Sequence, residues 1–201
     1  CRGISISYGL HSFINEFLES MIMVPCVVEV CTVSMIEFEI QCICTEQKVW
    51  CCASSWRPHK RLSENVRYFL EVAPESDCLV IFGSNPDITV RHPRVFYGGE
   101  VGWSDLISVY KRSDYFIHLA WLDHCPNVVV DARAAGCQII CSSAGGTQEI
   151  AGKDAIIIRE DDWDFSPTRL YKPPAMDFSK TIKNEYNVDI SISRAAKEYI
   201  D

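Results

Sequence analysis

The sequence lacks several features that would each point to a particular class of protein. No apolar run approaches the roughly 20 residues of a membrane-spanning helix, and the longest, at 21–33, contains Pro25 and Glu29. No charged n-region followed by an apolar stretch opens the chain, so we predict no signal peptide. The motifs G-x-G-x-x-G, G-x-x-x-x-G-K-[ST] and G-x-S-x-G are missing, which disfavours a dinucleotide oxidoreductase and leaves no P-loop or nucleophile elbow.

Positive charge is also scarce. The chain has 19 Lys and Arg against 27 Asp and Glu, a formal net charge of −8. This balance argues against a general binder of nucleic acid or anionic membranes, although a local basic patch stays open. Hydrophobic residues make up 48% and charged residues 23%, which is typical of a soluble globular protein. The 201 residues are enough for one α/β domain with additional elements.

Cysteine is abundant, but its spacing is not that of a disulfide framework or a zinc site. None of the 11 cysteines forms a Cys-x-x-Cys pair. Cys51 and Cys52 are adjacent in a strand-like run and would point to opposite faces, whereas Cys42 and Cys44 would share a face. We predict free thiols in a reducing, cytoplasmic compartment, with no disulfide and no metal.

From residue 48 onwards, short apolar runs alternate with helix-like segments. The predicted strands are 48–53, 77–82, 94–97, 115–119, 138–141 and 155–158, and the predicted helices are 62–72, 104–111 and 126–135. Such alternation implies right-handed βαβ crossovers, and continuous apolar runs such as CLVIF indicate burial on both faces. We therefore predict a doubly wound, Rossmann-like α/β domain over 48–201. Its ligands are expected at the C-terminal ends of the strands, where Gly83 and Gly99 lie.

The flanking segments follow no such pattern. We predict a helix at 12–19 and a strand at 27–33, and interpret residues 1–47 as a connecting piece rather than a second domain. The proline-rich stretch 165–177 is predicted to be a surface excursion and 192–200 a final helix. The acidic run 160–164 lacks the spacing of a calcium loop, so we expect a solvated face.

The segment from Asp123 to Asp131 is the strongest binding-site hypothesis. Pro126 suits the first helical position, which leaves the N–H groups of Asn127 and Val128 to meet an anion such as pyrophosphate. Asp131 lies one turn further on the same face and can accept both ribose hydroxyls. Asp123, at a strand end, can accept a hydroxyl of an attached sugar. An ordinary helix with solvated carboxylates stays open, as does a strand, since three consecutive valines form helices poorly.

Two other strand ends carry residues suited to a phosphate ligand. Arg57 and Lys60 lie in a cationic loop after the first predicted strand and could neutralise phosphates. The alternative is a solvated loop with Trp56 packed on the core. Gly145 and Gly146 follow a later strand and permit close approach of the backbone to a ligand. A plain turn into a short helix is the alternative there.

Taken together, these clusters resemble the C-terminal domain of glycosyltransferase family 4, which has the GT-B fold. The similarity runs over about 48–158. Asp123 and Asp131 stand at the spacing of that family's two glutamates, each one methylene shorter, and Ala-x-Ala-x-Gly follows at 132–136. Gly-Gly and Glu-Ile follow at 145–146 and 149–150. Lys60 matches the lysine of the family's phosphate loop. Ser55 stands roughly where an arginine is usual, so Arg57 would take that role.

The resemblance implies the donor-binding half of a hexosyltransferase. Such a domain would bind a nucleotide-diphosphate sugar for retaining transfer to an unknown acceptor, without a metal or other cofactor. The implied ligand contacts are Arg57, Lys60, Asn127 and Val128 on the diphosphate, Asp131 on ribose, Asp123 on the sugar, the backbone near Gly99 to Val101 at the base, and Gly83, Gly145 and Gly146 elsewhere in the site.

Residues 1–47 are similar to the interdomain connection of that fold. Together with Cys1 in place of a Met, this leads us to expect a missing acceptor domain, on the same or another chain, which would also supply any peripheral membrane context. No nucleic-acid partner is expected. Two alternatives stay open: a non-catalytic module that binds a nucleotide or sugar, and another GT-B enzyme such as a sugar-nucleotide epimerase.

Overall fold

The computed structural model describes residues 47–86, 88–160, 172–191 and 193–194. All of these except Gln47 belong to one compact unit, Lys48–Asp201. The elements predicted at 12–19 and 27–33 lie outside the described residues, as do nearly all of the helix predicted at 192–200 and much of the excursion at 165–177. Within the described residues, no helix is long and apolar enough to cross a membrane.

Among the residues that the structure describes, seven strands form one sheet in the order β3-β2-β1-β4-β5-β6-β7. They are β1 (Val49–Ala53), β2 (Cys78–Phe82), β3 (Val95–Gly99), β4 (Tyr115–His118), β5 (Gln138–Ser142), β6 (Ile156–Ile158) and β7 (Thr181–Lys183). Every pairing from β3 across to β6 is parallel. The predicted doubly wound α/β domain is therefore confirmed, and its strand order is that of the Rossmann fold.

The last strand was not predicted. β7 pairs antiparallel with β6, with Thr181 opposite Ile158. All three of its residues are exposed, so the sequence has none of the alternation of a half-buried strand. Pairing with the edge of an existing sheet, rather than local pattern, defines this element.

In the described part of the chain, four α-helices lie between strands: α1 (Leu62–Val72), α2 (Trp103–Tyr110), α3 (Asn127–Ala135) and the short α4 (Thr147–Ile150). The first has the predicted bounds, and buries Leu62, Val66 and Phe69 along one stripe. The third ends at Gly136 as predicted, but Pro126 is its N-cap residue and not its first helical residue. The reason is its backbone, with ψ at 117°, which lies outside the helical region.

Both faces of the sheet are covered, so the strands are held from two sides. All five residues of β2 are buried. The largest fully buried side chains come from strands and helices alike, and include Phe69, Leu79, Tyr110, Phe116 and Ile140. A core packed in this way fixes the strand ends, and the loops that leave the C-terminal edge inherit those positions.

The six described cysteines are all free, and five of them are buried: Cys51, Cys52, Cys78, Cys137 and Cys141. Burial raises the pKa of the Cys78 thiol to about 11 and that of Cys141 to about 12. Cys125 is exposed. The free thiols of the core therefore carry little thiolate at neutral pH.

We expect Cys125 to react first among these six, because a thiol reagent can reach it and cannot reach the others. Titration of the native chain with such a reagent, compared with Cys125→Ser, should show the loss of one fast equivalent. Under denaturing, non-reducing conditions all 11 thiols of fresh, air-protected protein should react. An unchanged fast phase in the variant would contradict the first expectation, and a clear shortfall from 11 the second.

Candidate functional site

A cleft of about 310 Å³ opens at the C-terminal edge of the sheet. Its lining comes from two segments, the loop after β1 and the start of α3: Ser54, Ser55, Arg57, Lys60, Pro126, Asn127 and Val128. β1 and β4 are neighbours in the sheet, and the chain runs outward from them in opposite directions. The cleft therefore lies at the topological switch point, where ligands of doubly wound folds bind.

The loop after β1 is anchored through Trp56. Its ring is 4% exposed, and its Nε1 donates to the Phe82 carbonyl at 2.9 Å. A 3₁₀ turn, Pro58–Lys60, follows. Trp56 therefore packs on the core, as the alternative of a solvated loop had it. This packing is compatible with the functional hypothesis, because Arg57 is exposed and Lys60 is half-buried at the cleft.

The start of α3 forms the opposite wall. The carbonyl of Pro126 accepts the N–H groups of Val129, at 3.0 Å, and Val130, at 3.4 Å. The N–H groups of Asn127 and Val128 precede these bonds and belong to the first turn, whose donors have no partner within a helix. Both residues line the cleft, so the positive end of the helix dipole faces it. The strand considered for this segment is wrong.

Asp123 contacts the cleft lysine and a buried histidine of β4. Its Oδ2 pairs with Lys60 Nζ and lies 2.9 Å from His118 Nε2. Burial alone would raise the pKa of this carboxyl, but the hydrogen bonds from His118 and Lys60 outweigh it and hold the pKa well below its usual range. Asp123 is therefore ionised at neutral pH. His118 was missed in the sequence, although a polar residue in the otherwise apolar run YFIHLA was an available signal.

Asp131 lies one turn along α3 from the lining residues, as predicted. Its Oδ2 accepts a hydrogen bond from Trp103 Nε1 at 3.1 Å. Trp103 begins α2 and is 69% exposed, so a large aromatic ring stands beside this carboxylate at the surface. The contact depends on packing of α2 against α3, and nothing local in the sequence indicated it.

Gly145 and Gly146 pack against the backbone of Asp123 and His124. A Cβ on Gly145 would lie 2.4 Å from the Asp123 carbonyl oxygen, and one on Gly146 would lie 2.3 Å from that of His124. The Gly146 N–H donates to the Asp123 carbonyl at 2.9 Å. The close approach that requires glycine here is therefore to the protein's own backbone, and the turn into a short helix, given above as the alternative, is present as α4.

The remaining predicted contacts lie further along the same edge of the sheet. Gly83 ends the β2 run and its N–H donates to the Gly99 carbonyl at 2.8 Å. Gly99 is exposed and Val101 is partly exposed. None of these three residues lines the cleft as the described residues form it. Gly83 nevertheless packs against its wall, because a Cβ there would lie 1.8 Å from the carbonyl oxygen of Ser54.

The acidic run beyond β6 begins with a buried contact rather than a solvated one. Glu160 pairs with Arg61, whose side chain is only 1% exposed, and burial raises the pKa of Glu160 while Arg61 opposes the rise. Arg61 also donates to the Pro174 carbonyl at 2.8 Å. The expectation of a solvated face is wrong for Glu160, because Arg61, directly after the 3₁₀ turn, reaches it. Residues 161–164 lie outside the described residues.

No group of three or more His, Cys, Asp or Glu in the described parts of the chain is arranged to hold a metal ion. The cationic groups at the cleft are instead Arg57 and Lys60. That a ligand binds there without a metal stays a prediction.

Several solved structures are similar to this chain over part of its length. Anabaena HepE in complex with UDP-glucose shares 18% identity at a TM-score of 0.46, covering 52% of this chain and 32% of that chain. WaaG, a glycosyltransferase involved in lipopolysaccharide biosynthesis, shares 18% identity at 0.45, over 57% and 34%. Sucrose-phosphate synthase from Thermosynechococcus elongatus shares 16% at 0.47, over 57% and 33%. The match thus spans about a third of each of those chains.

No curated protein sequence matches the chain. Residues 46–166, more than half of its length, match the family model described as glycosyl transferases group 1. The matched segment contains the sheet from β1 to β6, the cleft, and both Asp123 and Asp131. The chain therefore belongs to the group 1 glycosyl transferases.

Proposed function

We propose that this domain binds the nucleotide diphosphate of a sugar donor in the cleft between Lys60 and the start of α3. The observation that supports it is the position of two cationic side chains, Arg57 and Lys60, on one wall and of the first-turn N–H groups of Asn127 and Val128 on the other. Both features attract a doubly charged anion, and a cleft of about 310 Å³ is at the lower end of the range for small-molecule sites.

The remaining parts of a nucleotide-sugar follow from that anchor. Asp131, one turn from Asn127, is at the distance of a ribose from its diphosphate, since a helical turn is about 5.4 Å. Asp123 would take a sugar hydroxyl through the carboxylate oxygen that Lys60 and His118 leave open. The base would extend towards the backbone from Gly99 to Val101. The UDP-glucose complex of HepE, a similar protein, makes this class of ligand a reasonable probe.

The activity we propose is retaining transfer of a hexosyl group, with this domain as the donor-binding, C-terminal half of a GT-B enzyme. The acceptor site would belong to another domain, on the same or another chain, with residues 1–47 as the connection. The free buried thiols fit a reducing cytoplasm as its location.

Calorimetric titration tests the proposal most directly. UDP, GDP, ADP and dTDP, each with its glucose conjugate and its nucleoside, are titrated into the chain. We expect one base to be preferred, and the diphosphate to bind much more tightly than the nucleoside. Equal affinity for diphosphate and nucleoside, or no binding across the panel, would contradict the proposed function.

We expect nucleotide affinity to be independent of divalent metal. Lys60, Arg57 and the start of α3 can supply the positive potential that Mg²⁺ supplies elsewhere. Titration of the preferred diphosphate in EDTA and in Mg²⁺ should give the same Kd, after correction for metal bound by the free nucleotide. A loss of binding in EDTA that Mg²⁺ restores would show that the cleft needs the ion.

A non-catalytic module that binds the nucleotide or sugar is the second candidate. The observation that favours it is the contact of Asp123 with both Lys60 and His118, which occupies one oxygen of the carboxylate assigned to the sugar. The two candidates differ in turnover. The module would bind the nucleotide-sugar and leave it intact in the presence of any acceptor, whereas the transferase would release the nucleoside diphosphate.

A further inference from the structure

His118 is a buried polar side chain at the end of a strand whose other residues are aromatic or aliphatic. It is 3% exposed, and its ring stacks on Phe116, with centroids 6.4 Å apart and planes 13° apart. A buried imidazole without a hydrogen-bond partner destabilises a fold, so its partner is informative. That partner is Asp123, whose Oδ2 lies 2.9 Å from His118 Nε2.

The surroundings determine where the proton lies. Burial lowers the pKa of His118, an effect that the nearby Asp123 carboxylate opposes, so the ring is neutral at physiological pH. Asp123 is ionised and can only accept. Since a carboxylate oxygen faces Nε2, the proton of the neutral ring lies on Nε2 and is donated to Asp123.

Asp123 therefore has two donors on one oxygen, and they differ in mobility. His118 is on a strand, is buried and stacks on Phe116. Lys60 is on a 3₁₀ turn at the cleft, its side chain 19% exposed, and it has a long flexible stem that can turn towards a ligand. If Lys60 moves to a diphosphate, His118 is the donor that stays with the half-buried carboxylate.

We propose that His118 is a positioning residue. When Lys60 turns from Asp123 to bind phosphate, the hydrogen bond from His118 keeps the Asp123 carboxylate in position and with a donor. Without His118, the same movement would leave a half-buried carboxylate with neither of these two hydrogen-bond donors. The binding free energy of the ligand would then have to offset the free-energy cost of that unpaired charge. With His118 present, Lys60 can turn from Asp123 to the ligand at a small cost in free energy. This inference rests on the proposed function, because it assigns Lys60 to the diphosphate.

A double-mutant cycle between His118 and Asp123 tests it in the 201-residue chain. His118→Leu removes the donor and fills the buried site with an apolar side chain. We expect it to weaken the preferred nucleoside diphosphate by about tenfold, the scale of one charge-assisted hydrogen bond, and to leave the nucleoside unaffected. Inorganic pyrophosphate, which carries no base, should lose affinity in parallel. His118→Gln, which offers an amide N–H, should recover most of the loss.

The informative variant is His118→Leu combined with Asp123→Asn. With Asn at position 123, no carboxylate is left without a hydrogen-bond donor when Lys60 moves. We therefore expect the double variant to bind the diphosphate within about threefold of Asp123→Asn alone. A packing defect at position 118 would not be relieved by that second change. Ile117→Val is the matched control, because it loosens the same buried strand without touching Asp123, and it should leave Kd unchanged.

The outcomes separate the inference from the proposed function. If the wild-type chain binds neither nucleoside diphosphate nor pyrophosphate, the proposed function falls and this inference falls with it. If wild type binds and His118→Leu has no effect, or the double variant stays as weak as His118→Leu, the positioning role alone is wrong. A loss in Ile117→Val equal to that in His118→Leu would likewise assign the effect to packing.

Discussion

Lys60→Met should weaken binding of the preferred nucleoside diphosphate more than any other single change at the cleft. It removes the ammonium that faces the cleft but keeps a side chain of similar length. Charge-assisted hydrogen bonds are worth about 1.5–3 kcal/mol, so the expected increase in Kd is about 10- to 100-fold. The nucleoside, which carries no phosphate, should lose little. Calorimetric titration of both ligands measures the difference.

Lys48→Met is the matched control for that change. It removes the same charge from an exposed lysine at the other end of β1, where Lys48 Nζ pairs with Asp114 at 2.9 Å. We expect no effect on nucleotide affinity. If both variants lose affinity equally, the net charge of the chain rather than a contact at the cleft controls binding, and Lys60 has no specific place in the site.

The parallel sheet was predictable because its strands carry their own signal. Runs such as CLVIF are continuous, and in the structure all five of these residues are buried. Turn-forming glycines after the strands and Gly136 after α3 marked the boundaries. β7 carried no such signal, because Thr181, Ile182 and Lys183 are exposed and are a strand only through their pairing with β6.

The site was predictable in its anchor points and not in its contacts. The spacing from Asn127 to Asp131 follows from helix geometry, which local sequence controls. The partners of the two carboxylates come from elsewhere. Lys60 is 63 residues from Asp123, and Trp103 is 28 residues from Asp131. Contacts over such separations depend on strand order and helix packing, which single-sequence patterns do not encode.

The glycines illustrate a different limit. A Gly-Gly pair after a strand was interpreted as room for a ligand, and the residue type was right for a close approach. The atom that approaches is the Asp123 carbonyl, 2.4 Å from where a Cβ on Gly145 would be. The sequence shows only that glycine is present, whereas the structure shows which atoms occupy the space that a side chain would need. Here the answer connects the pair to the placement of Asp123.

Asp131→Asn should weaken the nucleoside diphosphate by about tenfold or more, since loss of a charge-assisted hydrogen bond of about 1.4 kcal/mol corresponds to that factor. The shape is kept, and the amide oxygen can still accept from Trp103 Nε1, so the fold should be retained. What is lost is the charge and one acceptor, which a ribose needs for its two adjacent hydroxyls. A 2′,3′-dideoxy nucleoside diphosphate has no such hydroxyls, and its affinity should be nearly unchanged.

Two further variants decide what Asp131 does. Trp103→Phe removes the indole donor but keeps an aromatic ring beside the carboxylate, and it should change affinity much less than Asp131→Asn. Asp123→Asn should give the opposite selectivity, sparing the free diphosphate and weakening the intact nucleotide-sugar, because its assigned partner is the sugar. If Asp131→Asn weakens the ribose and dideoxy ligands equally, the carboxylate acts on folding or through its general field. The loss would then be independent of the hydroxyls, and the assignment of Asp131 to ribose would be wrong.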